Sequence, residues 1–261
     1  MSTLPFTHPS IGLGDVGAHK EDVAVKIAEI WRYPVKTMAG ETLIWASIGS
    51  AGIEGDRVVH VEDAEGWVIT SRSHPRFLGH QGTLDSQGVV RVDGRSWESA
   101  EVAATVADIV GPGAHRVRDE GPERFDVLPL LIATDGAIAA FGHDHRRLRP
   151  NLVISGVEGL TEREWPGARL RIGPVLIGIQ DLRLRCIMTS YDPDTRVQDK
   201  EITRSIYRRF GGKLALDCFV IEGGEIAVGD DVQLMRGPAD GESTRFIEQA
   251  GRDLALDQER P

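Results

Sequence analysis

Cys186 offers the most specific chemistry in this sequence. It is one of two cysteines among 261 residues and lies in the segment LRLRCIMT at 182–189. If this segment is a strand, Leu182, Leu184 and Cys186 share one face, and the two arginines take the other. A free cysteine on such a face is commonly a small core hydrophobe, and the spacing alone favours that interpretation.

The alternative interpretation is that the strand ends near Cys186 and exposes the thiol. The residues that follow, SYDPD at 190–194, are strong turn formers, so a strand end fits the sequence here. A thiol at such a rim, beside cations that favour the thiolate, is a good ligand for a soft metal centre. The sequence pattern leaves both interpretations open.

A second group of residues has the chemistry of an anion site. Lys36 and Thr37 follow Tyr-Pro-Val, Arg57 follows Gly-Asp, Arg72 ends Thr-Ser-Arg, and Arg149 precedes Pro-Asn. Loop residues can converge on an anion, and Lys and Arg are strong donors to phosphate. Each cation alone can equally be a solvated surface residue, and the sequence does not show that they converge.

Three other motifs predict no site. GLGDVG at 12–17 has dinucleotide-binding spacing, but a proline-containing stretch precedes it and a strand-like stretch follows, whereas that motif needs a strand before it and a helix after it. His143 and His145 would diverge on a helix, so the run 143–149 is predicted to be a solvated helix end. No serine lies in a nucleophile-elbow context.

Composition excludes several classes of function. Hydrophobic residues make up 41% and charged residues 27%, as in ordinary globular proteins, and the net charge of −10 argues against nucleic-acid or anionic-membrane partners. No apolar run reaches the ~20 residues of a membrane span, and the first ten residues do not resemble a secretory signal. Because two cysteines cannot form a disulfide framework, we expect a reducing, cytoplasmic location.

Short apolar runs separated by glycine-bearing turns predict a β-rich α+β fold. Strands are predicted at residues 23–27, 43–45, 57–61, 67–70, 84–94 (a pair), 130–134, 151–155, 170–172, 175–179, 183–188, 219–221 and 232–235. Helices are predicted at 135–141, with Thr134 or Asp135 as its cap, and at 201–210. The predicted organisation is a loose arm at 1–22, β-dominated domains at 23–125 and 126–237, and a polar tail or surface helix at 238–261.

An ordered set of motifs resembles the MOSC family. YPVKT at 33–37, GDR at 55–57 and TSR at 70–72 are similar to the N-terminal β-barrel module of that family. The second half of the chain has motifs that resemble the MOSC domain itself: RPNLV at 149–153, Trp165, IG at 172–173, RCIMT at 185–189, DPDT at 192–195 and GEIAVGDDV at 224–232. The motifs run in order over about residues 25–236, most of the chain.

The resemblance implies an N-terminal β-barrel-like module followed by a MOSC β-barrel domain that binds the molybdenum cofactor, a pterin carrying molybdenum. Cys186 would be both the metal ligand and the catalytic residue. The residues expected to hold the pterin and its phosphate are Lys36, Thr37, Arg57, Thr134, Arg149 and Asn151. Two positions depart from the family pattern: Leu184 replaces a small polar residue, and Cys218 stands near a position where reducing relatives often have tyrosine.

The activity implied by the resemblance is that of an oxidoreductase. It would reduce N-hydroxylated or N-oxygenated small molecules with electrons from a separate ferredoxin, cytochrome or flavoprotein. No iron–sulfur cluster is expected in this chain, because two cysteines are too few. The alternative is a non-redox cofactor carrier or sulfur-handling module, with a persulfide on Cys186 and no pyridoxal phosphate of its own. A third possibility is a binding module that has lost the cofactor.

Overall fold

The computed structural model describes residues 24–236. The predicted arm at 1–22, with its glycine-rich motif, and the predicted C-terminal helix lie outside these residues. The described part contains seventeen strands and three α-helices, which confirms the β-rich α+β class. None of the helices between residues 24 and 236 combines the length and apolarity that crossing a bilayer requires.

The strands of the first half are β1 (Lys26–Arg32), β2 (Glu41–Leu43), β3 (Trp45–Gly49), β4 (Gly52–Ile53), β5 (Val59–Glu62), β6 (Val68–Ile69), β7 (Gly82–Leu84), β8 (Val90–Val92), β9 (Arg95–Ser96) and β10 (His115–Arg118). Those of the second half are β11 (Leu130–Thr134), β12 (Leu152–Ser155), β13 (Arg169–Ile172), β14 (Val175–Leu184), β15 (Lys213–Glu222), β16 (Gly224–Ala227) and β17 (Val232–Met235). The helices are α1 (Ala100–Val110), α2 (Asp135–Phe141) and α3 (Lys200–Phe210).

The largest sheet has eight strands in the order β17-β13-β14-β15-β11-β12-β1-β2. β1 runs antiparallel to β12, with Ile30 opposite Leu152. β3 also pairs with a strand of the second half, β16, with Ala46 opposite Ile226. The first strands of the chain are therefore built into the sheets of its second half. The domain boundary at residue 125 stays a prediction.

β1 shows how the shared core fixes the position of the residues that follow it. Ile27 and Ile30 are both buried in the core of the large sheet, although they are three residues apart. A bulge between Ile27 and Glu29 makes this possible, because one extra residue shifts the alternation of faces. Each buried isoleucine contributes roughly 1.5–3 kcal/mol. The end of β1 therefore places Tyr33 next to the start of β12.

The remaining strands of the first half form a smaller unit around α1. Strands β10-β5-β6 and β7-β8-β9 make two three-stranded sheets, and their buried side chains pack with those of α1. Helix α1 is not among the elements predicted from the sequence. Its signals were present: Ser99 caps the helix by accepting a hydrogen bond from the Val102 amide, and Val102, Val106 and Ile109 are buried at helical spacing.

The predicted helices of the second half are confirmed. Of the two caps that the sequence allowed for α2, the structure has Thr134, whose hydroxyl accepts a hydrogen bond from the Ala137 amide at 3.1 Å. The two helices pack together through a buried cluster of Ala137, Phe141, Leu148, Ile202, Ile206, Phe210 and Leu214. α3 ends at Gly211, whose φ of 64° is left-handed. Its opposite face carries charged and aromatic residues.

The predicted strand at 183–188 is wrong. β14 is a single strand that ends at Leu184, and residues Ile187–Ser190 form a 3-10 turn. The register against β15 shifts between Leu182 and Leu184, so Leu182 is buried and Leu184 is exposed. The turn is held by the hydroxyls of Thr189 and Ser190, which donate to backbone carbonyls three residues earlier.

Gly136 shows how closely α2 packs against the backbone of residues 157–159. A Cβ atom at this position would overlap the carbonyl oxygens of Val157 and Gly159 and lie 2.7 Å from the Gly159 nitrogen. We expect Gly136→Ala to lower the free energy of unfolding by about 2 kcal/mol or more, because overpacking against backbone is hard to relieve. Gly49→Ala is the matched control, since nothing lies within 4 Å of its added Cβ. Chemical denaturation measures both, and equal stabilities would contradict the packing described here.

Candidate functional site

The Asp56 carboxylate connects three segments that the sequence keeps far apart. It is fully buried, and its Oδ1 accepts a hydrogen bond from the Tyr33 amide at 2.7 Å. Its Oδ2 accepts from Asn151 Nδ2 at 3.2 Å and pairs with Arg57. The Asp56 carbonyl accepts from Arg124 Nε at 3.1 Å. The end of β1, the turn at 56–57 and the start of β12 are therefore fixed to one another.

Tyr33 occupies the centre of this junction. The guanidinium of Arg149 lies 4.3 Å from its ring centroid and that of Arg57 lies 5.4 Å away, so two predicted cofactor residues share one aromatic ring. The Tyr33 hydroxyl donates to the Pro150 carbonyl at 3.1 Å. Burial raises the pKa of this hydroxyl despite the opposing charges of Arg149 and Arg57. Tyr33 is therefore a neutral platform for the two arginines.

Lys36 joins the same group of charges through Asp126. Lys36 Nζ is 3.1 Å from Asp126 Oδ1, and Arg72 Nη2 is 3.4 Å from Asp126 Oδ2. Burial favours a higher pKa for Asp126, but the charge and hydrogen bond of Lys36 and the charges of Arg72 and Arg57 hold it below its ordinary value. We call Lys36, Arg57, Arg72 and Arg149 the cation cluster. The carboxylate of Asp126 is the anion with which Lys36 and Arg72 of this cluster pair.

Backbone geometry sets the predicted residues apart. Six non-glycine residues between 24 and 236 have positive φ, and three of them are Thr37 (80°), Arg57 (55°) and Arg149 (56°). A left-handed conformation costs a non-glycine residue about 1 kcal/mol, and such residues concentrate at functional sites. Arg149 Nη1 also donates to the Met38 carbonyl at 2.7 Å, which ties it to the Thr37 turn. The structure thus brings Lys36, Thr37, Arg57 and Arg149 together.

Two other predicted residues have different tasks in the structure. The Thr134 hydroxyl is fully buried, caps α2 and donates to Glu162 Oε2 at 3.3 Å. The Asn151 side chain is also fully buried; it accepts from the Leu131 amide and donates to the Trp31 carbonyl and to Asp56. Thr134 is therefore not brought to the cation cluster, and Asn151 acts on it through Asp56.

The thiol of Cys186 is exposed, so the interpretation of Cys186 as a core residue is wrong. The neighbouring Arg185 is buried instead, and its Nη2 donates to the Leu148 carbonyl at 2.7 Å, next to Arg149. Burial, followed by the charge of Arg183, lowers the pKa of Arg185 to about 10, which leaves it a cation at neutral pH. Arg185 is within electrostatic reach of both Cys186 and Tyr33.

A cleft of about 390 Å³ lies beside these residues. Its walls come from both halves of the chain, and they include Trp31, Tyr33, Gly40, His80, Arg146, Arg147, Arg149, Met188, Tyr191 and Arg196. Met188 follows Cys186 by two residues. Clefts of ~300–1,000 Å³ with aromatic walls and a few polar groups are typical of small-molecule sites.

Arg147 is the most informative residue of the cleft. Its side chain is only 9% exposed, and its Nη2 donates to Asp192 Oδ2 at 2.7 Å. Its buried Nε and Nη1 have no hydrogen-bond partner among the described residues. Buried guanidinium donors without acceptors are costly, so a further polar partner such as a water molecule or an anion is expected beside them. The donor set therefore fits a planar group that carries a phosphate.

Several residues of this site are not among those predicted from the sequence. Arg147 lies in the run 143–149, whose prediction as a solvated helix end is wrong for Arg147 and Arg149. Asp56 and Tyr33 were quoted only as neighbours of cations, although they position them. The signal available was weak, because a buried arginine and an exposed one look alike in sequence. Among residues 24–236, no three His, Cys, Asp or Glu side chains group as a metal site would require.

Cys218 is a core residue in β15. It is fully buried and lies opposite Leu130 and Ile179 in the neighbouring strands. Burial raises the pKa of its thiol well above the ordinary value, so the thiol stays protonated. The departure noted at this position therefore concerns the packing of the sheet, and Cys218 does not line the cleft.

Comparisons with known proteins cover most of the chain. The MOSC N-terminal beta barrel domain model matches residues 24–135, and the MOSC domain model matches residues 135–233. Mitochondrial amidoxime-reducing component 1 of Homo sapiens is 25% identical, with 80% of this chain and 82% of the relative covered. Molybdenum cofactor sulfurase 2 of Culex quinquefasciatus is 34% identical over 28% of this chain and 10% of the relative. The solved YuaD protein of Bacillus subtilis is 14% identical with a TM-score of 0.43, covering 82% of this chain and 97% of that one.

The two cysteines should differ sharply in reactivity. We expect a disulfide reagent such as Ellman's reagent to modify one thiol in the native, cofactor-free protein and two after unfolding, because Cys186 is exposed and Cys218 is buried. Cys186→Ala should abolish the native reaction, and Cys218→Ala should leave it unchanged. Absorbance of the released thiolate measures the stoichiometry. Two equivalents in the folded protein would show that the sheet does not enclose Cys218.

Proposed function

This chain belongs to the MOSC domain proteins, and from that premise we propose that it binds the molybdenum cofactor and reduces N-oxygenated small molecules. A function associated with the molybdenum cofactor is what the family and the relatives support, since one relative is an amidoxime-reducing component and another a molybdenum cofactor sulfurase. The reductase activity is the finer step of the proposal. Its substrates would be amidoximes, N-hydroxylated bases and related compounds.

One observation carries the proposal: the exposed Cys186 lies two residues along the chain from Met188 in the wall of the cleft, and that wall also includes Arg147, which has two buried donors without a partner among the described residues. A soft metal needs a thiolate, and a phosphorylated pterin needs guanidinium donors and a flat surface. A chance arrangement of surface residues would not be expected to place an exposed cysteine close to buried arginine donors. The juxtaposition fits a ligand that has a metal at one end and an anion at the other.

Each residue then has a physical task. Cys186 would ligate the metal, with the buried cation of Arg185 next to it in the chain. Lys36, Thr37, Arg57 and Arg149 would hold the anionic part of the cofactor, with Tyr33 fixing the planes of the two guanidinium groups. Asn151 would act as a positioning residue, because it reaches this group only through Asp56.

When bound, the cofactor would supply a redox-active metal that removes the oxygen of an N–O bond with two electrons and two protons, releasing water. The chain's own contribution is to place, orient and shield that group. Electrons would come from a separate ferredoxin, cytochrome or flavoprotein. A reducing compartment such as the cytoplasm suits the proposal, because the exposed thiol must stay reduced.

The activity can be tested directly on protein made in a cofactor-competent host. We expect molybdenum and pterin near one equivalent per chain, and consumption of benzamidoxime when a reduced viologen dye is supplied. Cys186→Ala should reduce turnover at least about 100-fold, because loss of the thiolate removes a metal ligand. Bound pterin without turnover would favour the non-redox carrier or sulfur-handling alternative, and absence of both metal and pterin would indicate a module that has lost the cofactor.

A second test separates residues that hold the cofactor from residues that hold the fold. Arg147→Gln and Arg149→Gln should each weaken cofactor retention about tenfold or more, because each removes a charge-assisted donor. Thr134→Val is the control. It should lower stability by about 1–2 kcal/mol through loss of the α2 cap and leave the pterin content unchanged. Pterin fluorescence after dialysis gives the readout, and equal losses in all three variants would refute this division of tasks.

A further inference from the structure

α3 lies directly beside the residues that flank Cys186. The hydroxyl of Tyr207, in the third turn of the helix, donates to the Arg185 carbonyl at 3.2 Å. The hydroxyl of Thr203 lies 3.0 Å from that of Thr189, which belongs to the turn that follows Cys186. The exposed thiol and the outer face of α3 therefore belong to one continuous surface.

The part of this surface closest to Cys186 is apolar. Leu184 is 61% exposed and Tyr207 is 51% exposed. They are neighbours, because a Cβ built on Gly212 would lie 2.9 Å from the Tyr207 ring and 3.3 Å from a Leu184 methyl. Exposed large hydrophobic side chains that adjoin one another are a common feature of protein-binding surfaces.

The rest of the surface is positively charged. Lys200, Arg204 and Arg208 recur every four residues on α3, so they form one stripe on its exposed face. The side chains of Arg204 and Arg208 are 68% and 62% exposed. Glu201 pairs with both arginines, and Asp199 caps the helix, so the anions here are fewer than the cations. This local charge contrasts with the net charge of −10 of the whole chain.

We propose that this surface, formed by Leu184, Tyr207, Lys200, Arg204 and Arg208, is the docking site for an acidic one-electron carrier protein. The inference rests on the proposed function and names where and how its electrons arrive. Complementary charge raises the association rate and selects the partner, while a small apolar centre allows rapid release. Transient redox complexes use small interfaces of this kind.

The electron count requires two encounters for each substrate molecule. Each reduced carrier gives up one electron on docking and leaves oxidised. Two electrons and two protons convert an amidoxime into the amidine and water, with the N–O bond broken and one O–H bond and one N–H bond formed. A surface that exchanges carriers quickly suits two successive electron transfers better than a tight complex does, because the oxidised carrier must leave before the next one binds.

The test reverses charges on the proposed surface and on a matched surface elsewhere. Arg204→Glu/Arg208→Glu is compared with Arg76→Glu/Arg118→Glu, whose arginines are also exposed and paired with carboxylates. The probes are an acidic [2Fe–2S] ferredoxin, an acidic flavodoxin and, as negative control, a basic cytochrome c. Calorimetric Kd values are measured at low and high salt, and thermal unfolding confirms that each variant is folded.

We expect wild type to bind an acidic carrier, with affinity that falls as salt rises, and the α3 variant to bind it at least about tenfold more weakly. Carrier-driven turnover should show a raised KM for the carrier, while viologen-driven turnover stays at the wild-type rate. Absence of viologen-driven turnover in wild type would refute the reductase activity and not the docking surface, which the Kd values test separately. The docking proposal is overturned if no acidic carrier binds, if the control variant loses as much affinity, or if sedimentation shows that α3 pairs with a second copy of the chain.

Discussion

The site depends on one buried carboxylate. Asp56 binds the Tyr33 amide, the Asn151 side chain and the Arg57 guanidinium, and it has no exposure to solvent. A buried charge is tolerated only when its hydrogen bonds are satisfied, so these partners are held in place with little freedom. The ring of Tyr33 then fixes Arg149, which completes the connection between the two halves of the chain.

The protein's own carboxylates neutralise only part of the positive charge at this junction. Asp126 offsets part of the charge of Lys36 and Arg72. Arg147, in the adjoining cleft, keeps two buried donors without a partner among the described residues. Left-handed backbone at Thr37, Arg57 and Arg149 adds a local cost that the surrounding hydrogen bonds sustain. This combination of unpaired donors and strain is more readily explained by ligand binding than by stability.

The large sheet gives the site its rigidity. Strands β1 and β2 are hydrogen-bonded into the sheet of the second half. The loop at 33–40, which follows β1, therefore lies close to the loop at 146–149, which precedes the neighbouring strand β12. They cannot move apart without disrupting the shared core. The end of β14 presents Cys186 beside the same loops, and α3 packs on the turn that follows it. Cys186, the cation cluster and the exposed face of α3 are consequently parts of a single framework.

The sequence by itself determined the β-rich class, the start of α2 at Thr134 or Asp135, most strand positions and the family to which the chain belongs, because these depend on local periodicity and on motifs in order. It could not decide whether Cys186 was buried, because a register shift in β14 reverses the expected faces. Nor could it separate Arg147, which is buried and has two donor atoms without a partner among the described residues, from its more exposed neighbours, or show that Asn151 donates to Asp56. These outcomes depend on contacts between segments from 29 to 95 residues apart, and only the packed structure brings those segments together.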